Sequence, residues 1–380
     1  MWLASVTLLL VLALFSNLHG EQQEGVHNKP RRPLPWFISV ELKKPDYVAY
    51  AAVAIVSARE RTAGLLEPHV LVSTTEESSF VDWCIEQGVV VHRYTPVLAE
   101  DINALIKTMV RTEEFGRKAL GGVFGRIDAP RVYRQWGGTS EYLLYTDCDI
   151  LWDHLSVEEI SQITSFPEQS LVAIGPQESK NSMKNSGVLM FHVDRWLEEF
   201  PNFVAYCRTQ NWSGQSWDQG LILHYFVRNK NLSTLLPNSW NWKVYWGRPS
   251  AGESPAILYH FHGPKPLRCL DINNSSGVPS LAECPIDGYK GLLHHPDFLN
   301  LAVDVLGKFK AYYDEATTCT PHRVPFKSLA GKKFISDAFV PCGNVTGNSN
   351  PLLFIVKSRQ LERERLLKEK QKMIDLAGNG

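Results

Sequence analysis

The chain has 380 residues, of which 44% are hydrophobic and 21% charged; that is enough apolar material for a sizeable core and excludes a disordered chain. Its 39 Lys plus Arg against 40 Asp plus Glu leave a formal net charge of −1. This excludes a broad nucleic-acid or polyanion surface and places specificity in a local site.

In chain order, WLASVTLLLVLALF is a short apolar run that turns polar at Ser16 and reaches the small residue Gly20, the pattern of a signal peptide over residues 1–20. The run lacks the usual preceding Lys or Arg and is marginal as a bilayer span, so an uncleaved anchor with a polar stem over 21–35 stays open. A membrane is an expected partner only in that case. Sequons at Asn211, Asn231, Asn273, Asn274 and Asn344 agree with secretion or with residence in the ER or Golgi lumen. The seven cysteines fit an oxidising compartment. Cys269 with Cys284, and Cys319 with Cys342, each close a short polar loop and are the expected bridges, whereas Cys148 is expected to be buried and unpaired.

WFISV (36–40) reads as a strand, YVAYAAVAIVSAR from Tyr47 as a helix, HVLVST as a strand, SSFVDWCIEQG as a Ser-capped helix and VVVHRY as a strand. Alternation of this kind predicts an α/β fold, a doubly wound, mostly parallel sheet with helices on both faces and ligands at the carboxyl ends of its strands. LAEDINALIKTMVRTEE and GVFGRIDAPRVYRQW are predicted helices, the second leading into EYLLYTDCDILW. Side chains alternate along a strand, so Asp147 and Asp149 are expected to share one face at a strand end. Two carboxylates at a buried strand end are costly without a positive partner, and a divalent cation is the simplest one. The competing reading is an acidic cap on the following turn. Removing one of two like charges is expected to leave stability unchanged or higher.

The ordered segments GRIDAPRVY, YLLYTDCDILW, KNSGVLMFHVDRW, SWDQGLILHYF and LYHFHGPKP together resemble the retaining glycosyltransferases of family 8, to which glycogenin belongs. The resemblance implies a GT-A glycosyltransferase domain over 36–266 and a metal-dependent transfer of a hexose-type sugar from a nucleotide diphosphate with retention. UDP is the expected nucleotide, Mn²⁺ the expected metal with Mg²⁺ as the second candidate, and a glycan or glycoprotein the acceptor. It also implies Asp147, Asp149 and His260 as metal ligands, a set of two hard oxygens and one imidazole. His262, two residues on, keeps the choice of imidazole open. Arg126 and Lys265 would meet the diphosphate, with an Arg126–Asp128 ion pair as the alternative for the former. Asn185, Ser186 and Gly187 would approach the sugar, with an ordinary turn before a strand as their structural alternative, and Asp218 and Gln219 would lie near the anomeric carbon. Asp218 can be read as a covalent nucleophile, or as a charge stabiliser while the departing diphosphate takes the acceptor proton; a helix N-cap is its structural alternative. The family commonly has two residues between the glycine and lysine of its last motif, but here only Pro264 separates Gly263 from Lys265, and Leu267 replaces the expected tryptophan.

A non-catalytic lumenal carbohydrate- or nucleotide-sugar-binding protein of the same fold is the alternative from another class, and a metal-dependent phosphohydrolase is a third reading. Beyond Pro266, a cysteine-containing extension (267–350) and a charged helical tail (351–380) are expected, with His294 and His295 in a loop. Oligomeric state is not legible.

Overall fold

The computed structural model describes residues 32–73, 78–108, 122, 124–177, 184–210, 217–262, 265–266 and a few positions between 305 and 312. The leader, four of the sequons, the expected disulfides, His294 with His295 and the charged tail lie outside the described residues. The chain divides into Met1–Arg32 with Ser328–Lys332, and all the rest; every described residue except Arg32 belongs to the second unit. Among the described residues no helix is long and apolar enough to cross a membrane.

The first elements follow the expected alternation: β1 (Leu34–Ser39), α1 (Pro45–Arg61), β2 (Leu66–Val72), α2 (Ser79–Glu86) and β3 (Val90–Arg93). Pro45 opens α1 where a missing N–H costs nothing, Asp46 lies in its first turn and Arg59 and Arg61 in its last, each favourable to the helix dipole. The Ser78 hydroxyl caps α2 by accepting from the Phe80 amide. Next come α3 (Ala99–Thr108), α4 (Gly125–Gln135), β4 (Tyr142–Thr146), β5 (Ile150–Trp152), α5 (Val157–Thr164), β6 (Val172–Pro176), β7 (Lys184–His192), α6 (Val193–Thr209) and α7 (Trp217–Ile222). A π-helical segment Leu223–Asn229 leads to β8 (Ser233–Leu235), β9 (Trp242–Lys243) and β10 (Leu258–His260). The first strand thus begins two residues before Trp36, inside the segment read as stem.

Seven strands form one sheet in the order β3-β2-β1-β4-β7-β6-β8, and β5-β10-β9 form a second. In the large sheet only β7 runs against its neighbours. The expected fold class, a doubly wound mostly parallel α/β sheet with helices on both faces, is therefore the one found. Alternation along single strands divides the core. Trp36, Ile38, Val188 and Met190 join the cluster that also holds α1, α2 and the small sheet. Phe37, Leu189 and Phe191 join the opposite cluster with Ile127 of α4 and Trp196 of α6. Burying both faces explains why these strands read as continuous apolar runs. Val305, Phe309 and Tyr312 lie in the first cluster, so part of the chain beyond the expected domain boundary packs into the same core.

Candidate active site

The site forms at the carboxyl end of β4, where the parallel half of the sheet meets antiparallel β7. The Trp36 indole donates to Thr146 Oγ1 at 2.9 Å and ties β1 to that end. Asp147 and Asp149 do not sit on one continuous strand, as the alternation argument supposed. β4 ends at Thr146 and β5 begins at Ile150, so Asp147–Cys148–Asp149 is the link that carries the chain from one sheet to the other. The Asp147 amide donates to the Gly187 carbonyl at 2.8 Å on the large-sheet side, and the Asp149 carbonyl accepts from the Phe261 amide at 2.9 Å on the small-sheet side. Both carboxylates still turn to a common point. Cys148 is buried and free, as expected.

At that point stands His260, whose Nε2 lies 3.6 Å from Asp147 Oδ2 and 3.6 Å from Asp149 Oδ1. Potential ligand atoms of Asp147, Asp149 and His260 fall within 4.8 Å of one another, the only such group among the described residues. His262 is not part of it; its Nδ1 lies 3.5 Å from Tyr245 Oη. Gly187 is the floor of the cradle. A Cβ there would meet His260 Cε1 at 2.2 Å and Asn185 Oδ1 and Asp147 Oδ2 at 2.8 Å each, so glycine alone lets the three groups converge. Two carboxylates and one imidazole suit a hard or borderline divalent cation such as Mn²⁺ or Mg²⁺.

Two cations flank the cradle. Arg126, at the start of α4, sends Nη2 to Asp147 Oδ1 at 2.7 Å, Nη1 to Ser186 Oγ at 2.5 Å and Nε to within 2.8 Å of Asp218 Oδ2. Asp128 takes Arg131 instead, so the alternative reading of Arg126 does not hold. Lys265 donates to Asp149 Oδ2 and to the Phe261 carbonyl. Burial pushes the Asp149 carboxyl up, but Lys265 and His260 overcome it and hold the group well below the usual carboxylate range. Gly263 lies outside the described residues.

Asn185, Ser186 and Gly187 lie within β7, not in a turn, and they reach the second arm of the site from inside. Gln219 Oε1 accepts from Asn185 Nδ2 at 2.9 Å and from the Ser186 amide at 3.0 Å. Asp218, in the first turn of α7, is buried, and burial raises its pKa to about 6 against the pull of Arg126. The folded pKa lies above that of an exposed carboxyl, so Asp218 favours the fold at low pH and this contribution is lost as pH rises through about 6. Between pH 4 and 7 the wild-type chain should therefore lose about 2 kcal/mol relative to Asp218→Asn. Urea midpoints of the two chains at both pH values check this, and a constant gap would mean that Asp218 titrates normally.

Sequence motifs missed Lys243 and Asn241. Both are fully buried behind His260, in the stretch SWNWKVYW. Its single lysine among tryptophans was the available signal.

No family model matches the chain, and no curated protein matches it in sequence. Solved structures do resemble it. The apo glycosyltransferase GlyE of Streptococcus pneumoniae TIGR4 is 12% identical over 73% of this chain and 64% of that chain, with a TM-score of 0.44. Mouse xyloside xylosyltransferase 1 in apo form is 13% identical over 61% of this chain and 97% of that chain, TM-score 0.39. An active-site mutant of LgtC is 14% identical over 71% of this chain and 95% of that chain, TM-score 0.45. The chain thus spans just under two thirds of GlyE. Likeness at this level carries no functional weight.

Proposed function

We propose that this chain is a metal-dependent retaining glycosyltransferase of the GT-A kind, related to family 8, that moves a hexose-type sugar from UDP to a glycan or protein acceptor in the secretory lumen. The observation that carries the reading is the convergence of Asp147, Asp149 and His260 on a glycine-floored cradle between Arg126 and Lys265. Acids paired with flanking cations in one cluster suit a metal-bound diphosphate better than either charge set alone. A bound Mn²⁺ or Mg²⁺ would supply Lewis-acid stabilisation of the diphosphate's charge.

The chain's own groups then divide the work. Lys265 donates to Asp149 Oδ2 and leaves Oδ1, the oxygen facing His260 Nε2, for a cation; its ammonium thus stands at the edge of the cradle, where it would meet the departing diphosphate. Arg126 is anchored to Asp147, Asp218 and Ser186 at once, and its fixed guanidinium neutralises charge without moving. Asp218 is a poor candidate for a covalent nucleophile, because the Arg126 guanidinium lies against its Oδ2 and holds that oxygen away from a sugar. The geometry favours transfer on the leaving-group face. There the diphosphate oxygen takes the acceptor proton as the new glycosidic bond forms and the anomeric C–O bond breaks, and Asp218 and Gln219 stabilise the positive charge at the sugar.

A panel of nucleotide sugars should raise the melting temperature only when Mn²⁺ is present, with one donor standing out, because a ligand that binds the folded state stabilises it by mass action. With that donor, NMR of the product should show retained anomeric configuration. Inversion would overturn the stereochemistry proposed, and donor hydrolysis with no acceptor product would favour a phosphohydrolase.

A further inference from the structure

Behind the metal cradle lies a closed polar network that the proposed chemistry does not use. β9 pairs in parallel with β10 so that Lys243 sits opposite His260, which places their side chains together. Lys243 Nζ lies 2.8 Å from His260 Nδ1, 2.9 Å from Asn241 Oδ1 and 2.9 Å from Asn185 Oδ1. Asn241 Oδ1 lies 2.8 Å from the same His260 nitrogen, and Asn241 Nδ2 donates to the Pro176 carbonyl at 3.0 Å and to Asn185 Oδ1 at 3.2 Å. Gly175, beside the register shift in β6, makes room for that amide, since a Cβ there would meet Asn241 Nδ2 at 2.5 Å. Lys243 and Asn241 are completely buried, so neither can touch a ligand.

This buried amine donates its two N–H groups to Asn185 Oδ1 and Asn241 Oδ1 and turns its lone pair to His260 Nδ1, and leaving any of these unpaired in this dry setting would be costly. The arrangement has two ends. Through His260 it reaches the metal cradle, and through Asn185, whose Nδ2 donates to Gln219, it reaches the sugar arm. Metal-bound imidazoles generally have the second ring nitrogen fixed by a hydrogen-bond partner, which sets the tautomer and aims the ring. Here Asn241 Oδ1 can accept an Nδ1 proton, leaving the Nε2 lone pair facing Asp147 and Asp149.

We propose that Lys243 is the positioning residue of this site: by orienting the Asn185 and Asn241 amides it aims His260 at the two carboxylates and couples the metal cradle to Gln219. The inference rests on the metal reading above. Lys243→Met keeps the length of the side chain and removes its polar contacts. Free Mn²⁺ measured by electron paramagnetic resonance should show binding weakened by about 10–100-fold in the variant, the usual cost of losing a partner behind a metal ligand. Nitrogen spectra of labelled histidine in the Mg²⁺-loaded chain should show His260 with a protonated Nδ1 in the wild type and a mixture of tautomers in Lys243→Met. Lys243→Gln, which keeps a donor and an acceptor, should recover part of both and serves if the Met variant does not fold. Unchanged Mn²⁺ affinity and an unchanged His260 spectrum in the variants would overturn the proposal. A wild-type chain that binds no Mn²⁺ would overturn the metal reading instead, and this inference with it.

Discussion

Asp149→Asn should weaken Mn²⁺ binding by at least about 100-fold and should also lower the stability of the metal-free chain. The first effect follows from removing one of three protein ligands, which must cost at least as much as losing a group behind a ligand. The second reverses the expectation from charge repulsion alone. In the structure Asp149 accepts from Lys265 and faces His260 Nε2, and these groups hold its carboxyl well below the usual range despite burial. A carboxyl with a depressed folded pKa contributes stability that is present above its unfolded pKa and lost as pH falls through the folded one. The deficit of Asp149→Asn should therefore be full at pH 7, about 1 to 3 kcal/mol, and shrink below about pH 4. Urea unfolding at pH 7 and pH 3.5, with chelator, measures it. Equal stability at both values would mean that the Lys265–Asp149 pair contributes nothing.

Gly187→Ala should be the most damaging single methyl in the site. The added Cβ would fall 2.2 Å from Cε1 of His260, a fully buried ring whose neighbouring Nδ1 is held by Lys243 and Asn241, which leaves it little room to retreat. Overpacking of this sort costs about 1–3 kcal/mol where neighbours can shift, and the rigid ring puts the cost at the upper end. Because the same methyl would also press on Asp147 Oδ2, Mn²⁺ affinity should fall together with stability. Thermal melts without metal and Mn²⁺ titrations test the pair of effects. A variant as stable as the parent that binds Mn²⁺ equally well would contradict the packing described around β7.

How much of this could be read from residues alone depends on the range of the interactions. The first three strands and two helices were legible because each carries its own signal: apolar runs for β1, β2 and the start of β3, Pro45 and Ser78 as helix starts, and a glycine after α2. The acidic pair and His260 stood out because carboxylates and imidazoles in apolar surroundings ask for a partner. Their detailed support did not. Asp147 and Asp149 bridge two sheets because β5 leaves the large sheet to pair with β10, a long-range choice that no local period records. Asn185 and Ser186 looked like turn residues, whereas pairing of Asn185 with Gly175 in β6, and of Val188–His192 with β4 just beyond, keeps this stretch in β7. Lys243 stayed hidden because β9 is two residues long and its partners are supplied by β7, β10 and the turn before β9. A lysine is buried only when other groups pair with it, and nothing local to SWNWKVYW names those groups.

The central claim is that Asp147, Asp149 and His260 hold the cation through which a nucleotide diphosphate binds. Calorimetric titration of UDP into the wild-type chain, with saturating Mn²⁺ and again with chelator, tests it most directly. Saturable UDP binding that requires Mn²⁺ and disappears in Asp149→Asn is the predicted result; binding of equal strength with and without metal, or unchanged in Asp149→Asn, would contradict it.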